Sequence, residues 1–204
     1  MYSKTLLSLF LVYFLIIGCS DEKEVNFKNG DIIFQDSPSS QSQAIKLATN
    51  SNYSHVGIIY KKGGDTFVYE AVGPVILTPL KKWIFHGVGG HYVLKRLKER
   101  DILTPQVLGT MKKVAEGFKN RPYDALFSWS DDRIYCSELV WKIYKRAVGI
   151  ELGALKKLGS FDLTHPVVKS ILQERYGKNI PLNESVIAPQ GVFDSDLLKT
   201  IYKN

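Results

Sequence analysis

The sequence predicts one α+β domain in which a small antiparallel sheet packs against helices. β-rich apolar runs that can pair as a hairpin and several amphipathic helical patterns together indicate this class. No internal repeat or low-complexity linker divides the chain after its first 29 residues. At 204 residues, with 45% hydrophobic and 23% charged residues, the chain can bury a core without a disulfide scaffold or a metal.

The strands are predicted from short β-rich runs bounded by turn residues. In chain order these runs are 32–34, 53–60, 66–72, a short extended piece between Pro74 and Pro79, and 92–94. The second and third runs flank Lys61-Lys62-Gly63-Gly64, which is a typical turn sequence. They are therefore expected to form a hairpin.

The helices are predicted from apolar residues at helical spacing. The predicted helices are 41–49, 104–118, 136–148, a short helix within 161–175, and a last short helix within 194–202. Pro105 stands at an allowed first-turn position, and Gly149 is a typical residue to end the third helix.

The first eighteen residues resemble a bacterial lipoprotein signal peptide. Lys4 precedes an apolar run over 6–17, which is too short for a transmembrane helix, and the run ends at Gly18-Cys19. We expect lipidation of Cys19 and anchoring in the cell envelope, with an ordinary signal peptide or an uncleaved anchor as the alternatives. The predicted organisation is a signal peptide (1–18), a lipidated polar tether (19–29) and a domain (30–204). The membrane face and the oligomeric state are not predicted.

The net charge of +7 is spread over the chain rather than gathered on one helix. This pattern is typical of a solvated surface and does not indicate nucleic-acid binding. A weak attraction to anionic cell wall or lipid head groups is the alternative interpretation.

Three side chains carry the chemical argument: Cys136, His55 and Glu70. Cys136 stands at the predicted start of a helix, where the helix dipole favours a negatively charged sulfur. A turn centred on Lys62-Gly63 places His55 directly opposite Glu70, and one centred on Gly63-Gly64 makes them diagonal neighbours on the same face. Taken singly, each residue also has a structural explanation. His55 can be a buried structural histidine, Glu70 a solvated glutamate and Cys136 a small apolar residue.

Five short segments, taken in order, resemble the YiiX/YebB-like cysteine hydrolases, which are circularly permuted relatives of the NlpC-type, papain-like enzymes. The segments are Gly30–Phe34, Tyr53–Ile58, Tyr69–Ala71, Pro122–Asp124 and Tyr135–Val140. His55 precedes Cys136 in the chain, as the permuted order requires. The resemblance implies a circularly permuted papain-like fold.

The resemblance also implies roles for single residues. Cys136 is expected as the nucleophile, His55 as the general base and Glu70 as the residue that orients His55. Tyr135, Tyr123 and Asp31 are expected to lie at the oxyanion or substrate-binding positions, with turn formation and packing as their alternative roles. No cofactor is expected. His86 and His91 lack a carboxylate or thiol at ligand spacing, so no metal site is predicted.

Three functions are compatible with this sequence. The first is hydrolysis of an amide bond, most plausibly in a cell-wall peptide, through a thioester acyl-enzyme. The second is acyl hydrolysis or acyl transfer on lipids at the membrane, with an acyl groove lined by aromatic residues such as Trp83, Phe85, Phe127 and Trp129. The third is a non-catalytic binding lipoprotein that keeps the fold.

Overall fold

A computed structural model describes residues 25–204. The predicted signal peptide and Cys19 lie outside the described residues. Within residues 25–204, no helix combines the length and the apolar character that crossing a membrane requires. Val25 and Phe27 already pack on the domain, so the folded part begins before residue 30, where the tether was predicted to end.

Six strands form one antiparallel sheet in the order β4-β3-β2-β1-β5-β8. These strands are β1 (Ile32–Gln35), β2 (His55–Lys62), β3 (Asp65–Ala71), β4 (Val75–Pro79), β5 (Val93–Leu97) and β8 (Leu198–Lys203). A separate two-stranded sheet pairs β6 (Lys156–Lys157) with β7 (Ser185–Val186). The predicted antiparallel sheet is confirmed.

Within residues 25–204, six α-helices accompany the sheet. They are α1 (Ser40–Thr49), α2 (Leu80–His86), α3 (Pro105–Phe118), α4 (Cys136–Val148), α5 (Pro166–Tyr176) and α6 (Pro189–Phe193). Short 3-10 turns occur at Val88–Gly90, Arg100–Ile102 and Leu158–Ser160. Ser39 and Thr104 cap α1 and α3 through their side-chain oxygens, and Gly149 ends α4 in a left-handed conformation.

The last predicted helix, within 194–202, is wrong. Residues Leu198–Lys203 form β8, which pairs with β5 and completes the sheet. A short apolar run is compatible with a helix or a strand. Here it forms a strand because it pairs with the free edge of β5, about a hundred residues earlier in the chain.

The β2–β3 hairpin has the second of the two predicted registers. Lys62 pairs with Asp65, so Gly63 and Gly64 form the turn, and both have positive φ as a tight hairpin turn requires. This register makes His55 and Glu70 diagonal neighbours on one face of the sheet.

The two faces of the sheet bury different clusters. On one face, α3 and α4 pack over the larger core, which includes Ile32, Ile58 and Leu139. On the opposite face, α2 and the segment that enters the domain cover a smaller cluster that includes Ile33, Ile59 and Trp83. Strand alternation places His55 and Glu70 on this second face.

A buried ion pair joins the start of β1 to β5. The fully buried Asp31 accepts hydrogen bonds from Arg96 Nε at 2.6 Å and Arg96 Nη2 at 2.7 Å. It also accepts from the backbone N–H of Lys28 at 2.8 Å. Each oxygen of Asp31 is therefore occupied by a structural contact, and burying this carboxylate depends on Arg96.

We expect Asp31→Asn to lower the free energy of unfolding by about 3 kcal/mol, because it leaves the mostly buried Arg96 without its charge partner. Urea denaturation measures this change. Glu116→Gln is the matched control, because it removes an exposed pair with Lys112 and is expected to cost less than about 0.5 kcal/mol. An equal loss in the two variants would contradict the structural role assigned to Asp31.

Candidate active site

Cys136 is the first residue of α4, and its thiol is 2% exposed. Tyr135 precedes the helix in an extended conformation, so the chain turns sharply into the helix at the cysteine. The free N–H groups and the dipole of this helix end favour negative charge at the sulfur and at an oxygen bound beside it. Cys136 is the only free cysteine within the described residues.

The hairpin brings His55 and Glu70 together. His55 is the first residue of β2, and its Nε2 lies 2.6 Å from Oε2 of Glu70. Gly57 lies between His55 and Ile59 on the same face, where a Cβ would approach Val68 Cγ1 to 2.3 Å. Glycine at this position therefore leaves space for the diagonal contact between the two charged side chains.

Two further residues hold this pair in place. Thr78 Oγ1 in β4 donates a hydrogen bond of 2.5 Å to Oε1 of Glu70, so both oxygens of the carboxylate have partners. The Trp83 ring of α2 stacks on the His55 ring with centroids 5.9 Å apart, and Trp83 is fully buried. Sequence analysis missed both roles, because neither residue lies in a motif and both depend on tertiary contacts.

The pair is charged at neutral pH. Burial lowers the pKa of His55, but its hydrogen bonds to Cys136 and Glu70 outweigh burial and raise that pKa to about 10. Burial raises the pKa of Glu70, and the hydrogen bond and charge of His55 outweigh burial and lower that pKa overall. Since Nε2 faces Glu70, Nδ1 is the nitrogen left to face the Cys136 thiol. The arrangement has the elements of a thiol nucleophile, a base and an orienting carboxylate.

A cleft of about 730 Å³, including its part open to solvent, adjoins Cys136. It is formed by α1, α5 and residues 186–189, and most of its side chains are apolar. The apolar lining consists of Ala44, Ile45, Ala48, Phe127, Leu158, Phe161, Leu163, Val168, Ile171, Leu172, Val186, Ile187, Ala188 and Pro189. The chemistry at Cys136 therefore takes place beside an apolar surface.

Tyr123 and Tyr135 both line this cleft. The Tyr123 hydroxyl accepts a hydrogen bond of 2.6 Å from Gln41 Nε2, and Gln41 Oε1 accepts one of 2.6 Å from Arg175. Burial and the proximity of Cys136 raise the pKa of Tyr123, so its hydroxyl stays protonated. The Tyr135 hydroxyl accepts a hydrogen bond from the backbone N–H of Ile187 at 3.1 Å.

Asp31 does not line the cleft, and both of its oxygens bond to Arg96. The expected aromatic groove is wrong for three of its four residues. Trp83 stacks behind His55, Phe85 is exposed, and Trp129 packs on Trp141, whereas Phe127 lines the cleft. Helical and strand patterns place these residues on elements but do not show which elements face Cys136.

A buried ion pair supports the first turn of α4. Glu138 is fully buried, with its Oε1 2.7 Å from Lys142 Nζ and its Oε2 accepting from the backbone N–H of Tyr135 at 3.3 Å. Burial raises the pKa of Glu138 to about 7, although Lys142 opposes this change. Glu138 thus ties the residue before the nucleophile to the helix that carries it.

The chain has the fold of a permuted papain-like hydrolase, and this fold places His55 and Glu70 beside Cys136. A family model described as "Permuted papain-like amidase enzyme, YaeF/YiiX, C92 family" matches residues 26–202. The chain belongs to this family, which confirms the resemblance seen in the sequence and the permuted papain-like fold.

Two relatives show the same relationship. The uncharacterized protein YiiX of Escherichia coli (strain K12) is 51% identical over 176 residues, which is 86% of each chain. A crystal structure described as metalloprotein YiiX from Escherichia coli O157:H7 is also 51% identical. It superposes with a TM-score of 0.83 and covers 87% of this chain and 97% of that one. Within residues 25–204, no group of three or more His, Cys, Asp and Glu side chains is arranged to hold a metal ion.

We expect Glu70→Gln to lower the pKa of His55, because glutamine can keep a hydrogen bond but removes the negative charge. Because folding raises the pKa of His55, its contribution to stability is complete at pH 6 and is lost as the pH rises through about 10. Because folding lowers the pKa of Glu70, its contribution is present at neutral pH and is lost as the pH falls through that lowered pKa. Between these limits the variant should lose about 3 kcal/mol of unfolding free energy. NMR titration of His55 and urea denaturation measure the two effects.

Thr78→Val is the matched control for Glu70→Gln. It removes one hydrogen bond from the carboxylate but keeps its charge, so the loss of unfolding free energy should be about 1 kcal/mol and the pKa of His55 should change little. If the pKa of His55 were the same in Glu70→Gln as in the unchanged protein, the charge pairing described above would be wrong.

Proposed function

We propose that this protein is a thiol amidase in which Cys136, His55 and Glu70 act as a catalytic triad. The observation that carries the proposal is the buried His55–Glu70 pair, with 2.6 Å between Nε2 and Oε2, beside a cysteine at the start of a helix. Membership of a permuted papain-like amidase family supports the same chemistry. No alternative nucleophile or base is needed for the steps below.

The reaction is an acyl transfer in two steps. The Cys136 sulfur attacks the amide carbonyl carbon, the C–N bond breaks, and the His55 imidazolium gives its proton to the leaving amine. The product is a thioester on Cys136. His55 then removes a proton from water, which attacks the thioester carbon and releases the carboxylic acid together with the thiol.

Two donors are available for the negative oxygen of the intermediates. The backbone N–H of Cys136 lies at the start of α4, where no preceding turn of the helix accepts from it. The Tyr123 hydroxyl already accepts from Gln41, so its own proton remains free to donate. Together these two donors form an oxyanion site, in which hydrogen bonds stabilise the negative charge on the oxygen.

The cleft favours a substrate with an apolar acyl group. Apolar side chains make up most of its lining, and burying a methylene group contributes about 0.8 kcal/mol. A charged cell-wall peptide would find few partners there, since Arg175 already bonds to Gln41 and Ala125. An amide with an apolar acyl group therefore fits this surface better than the cell-wall peptide that the sequence predicts.

We expect Cys136 to react rapidly with a small alkylating reagent at pH 6, because the imidazolium of His55 stabilises the thiolate. His55→Ala should shift the reaction to the range of a free thiol, above about pH 8. The alkylation rate between pH 4 and 9, followed by mass spectrometry, measures this. Equal rates in both proteins at pH 6 would favour the non-catalytic binding lipoprotein.

We expect kcat/KM to rise about fourfold per methylene along a series of N-acyl anilides that share one leaving group. Ile45→Asn, which changes the cleft lining, should remove this dependence but leave the short N-acetyl substrate unaffected. Gln43→Asn is the control, because Gln43 lies on the same helix, is exposed and does not line the cleft. A preference for peptide anilides with charged residues would instead support a cell-wall substrate.

A further inference from the structure

The short helix α2 exposes an aromatic side chain where a polar one is expected. Its inner side packs Leu80, Trp83 and Ile84 into the smaller apolar cluster. On its outer side Phe85 is 85% exposed, and Val88 in the following 3-10 turn is 48% exposed. Packing within the domain accounts for the inner residues but gives no reason for the outer ones.

Two exposed lysines lie beside the exposed Phe85. Lys81 and Lys82 precede it by four and three positions, so helical geometry places them on the same outer side, and both are exposed. Neither lysine forms an ion pair with any residue in the range 25–204. An exposed apolar side chain beside two lysines without ion-pair partners within residues 25–204 is a composition that binds an anionic lipid surface.

The chain enters the domain beside the same helix. Val25 and Phe27 pack on the cluster that α2 covers, and Phe27 stacks on Tyr92 with ring centroids 6.2 Å apart. Six residue steps separate Cys19 from Val25, which corresponds to at most about 20 Å of extended chain. A lipid on Cys19, as predicted, would therefore hold this face of the domain close to the bilayer.

We propose that the outer surface of α2 and its following turn (Lys81, Lys82, Phe85 and Val88) is a membrane-contact surface for lipids with anionic head groups. Phe85 and Val88 enter the interface, and the two lysines face the lipid phosphates. This inference concerns where the domain rests and does not require the proposed amidase chemistry.

Vesicle flotation of a chain beginning at Ser20 tests the surface apart from any lipid anchor. This chain contains all the residues of the three apolar clusters described within residues 25–204, so it keeps the contacts among them. It should bind vesicles of phosphatidylglycerol and phosphatidylcholine and not those of phosphatidylcholine alone. Phe85→Ser should weaken binding about tenfold, and Lys81→Gln and Lys82→Gln about fivefold each.

Matched variants elsewhere on the surface provide the controls. Leu182→Ser changes another exposed apolar residue, and Lys61→Gln with Lys62→Gln changes two exposed lysines of the hairpin turn. Binding that falls equally in the control and α2 variants would overturn the proposal. A dimer in solution that Phe85→Ser dissociates would also overturn it, because a second copy would then cover this surface.

The alkylation rate of Cys136 separates this proposal from the proposed function. Phe85→Ser should leave that rate unchanged, because Phe85 is exposed, whereas the contact of α2 with His55 is made by the buried Trp83. Loss of vesicle binding with normal alkylation supports the membrane-contact surface. Normal vesicle binding in Phe85→Ser contradicts it, whatever the reactivity of the thiol.

Discussion

The buried ion pair between His55 and Glu70 is the interaction on which the rest of the site depends. Two charges removed from water are costly unless each meets its partner at close range. The surrounding structure supplies this: the hairpin register sets the diagonal contact, Gly57 leaves space for it, and Trp83 covers the His55 ring. A shift of one residue in the β2–β3 register would place the two side chains on opposite faces of the sheet.

The nucleophile is fixed by a different part of the fold. All residues of α4 from Cys136 to Tyr144 are buried, and Glu138 ties the first turn to the preceding residue. The site therefore forms where the end of a sheet meets the start of a buried helix. This geometry depends on where the strand and the helix lie in space and not on their order along the chain. A permuted chain, with histidine before cysteine, can therefore form the same arrangement as a chain with the opposite order.

Much of this arrangement could be predicted, because it is encoded locally. Turn residues and strand alternation placed His55 and Glu70 on one face, and helical spacing placed Cys136 at a helix start. The strand β8, the contacts of Thr78 and the lining of the cleft could not be predicted in this way. Each depends on segments far apart in sequence: β8 pairs with β5, and the cleft combines α1, α5 and residues 186–189.

The helix α2 connects the triad to the molecular surface within seven residues. Its inner side carries Trp83, which stacks on His55, and its outer side carries Phe85 beside the exposed Lys81 and Lys82. A helix needed only to cover the ion pair would gain nothing from an exposed phenylalanine, since exposure of that ring to water is unfavourable. Contact with a lipid surface removes the ring from water and places the positive charges beside phosphates. With the proposed membrane contact, the same helix shields the charges of the His55–Glu70 pair on one side and positions the domain on the other.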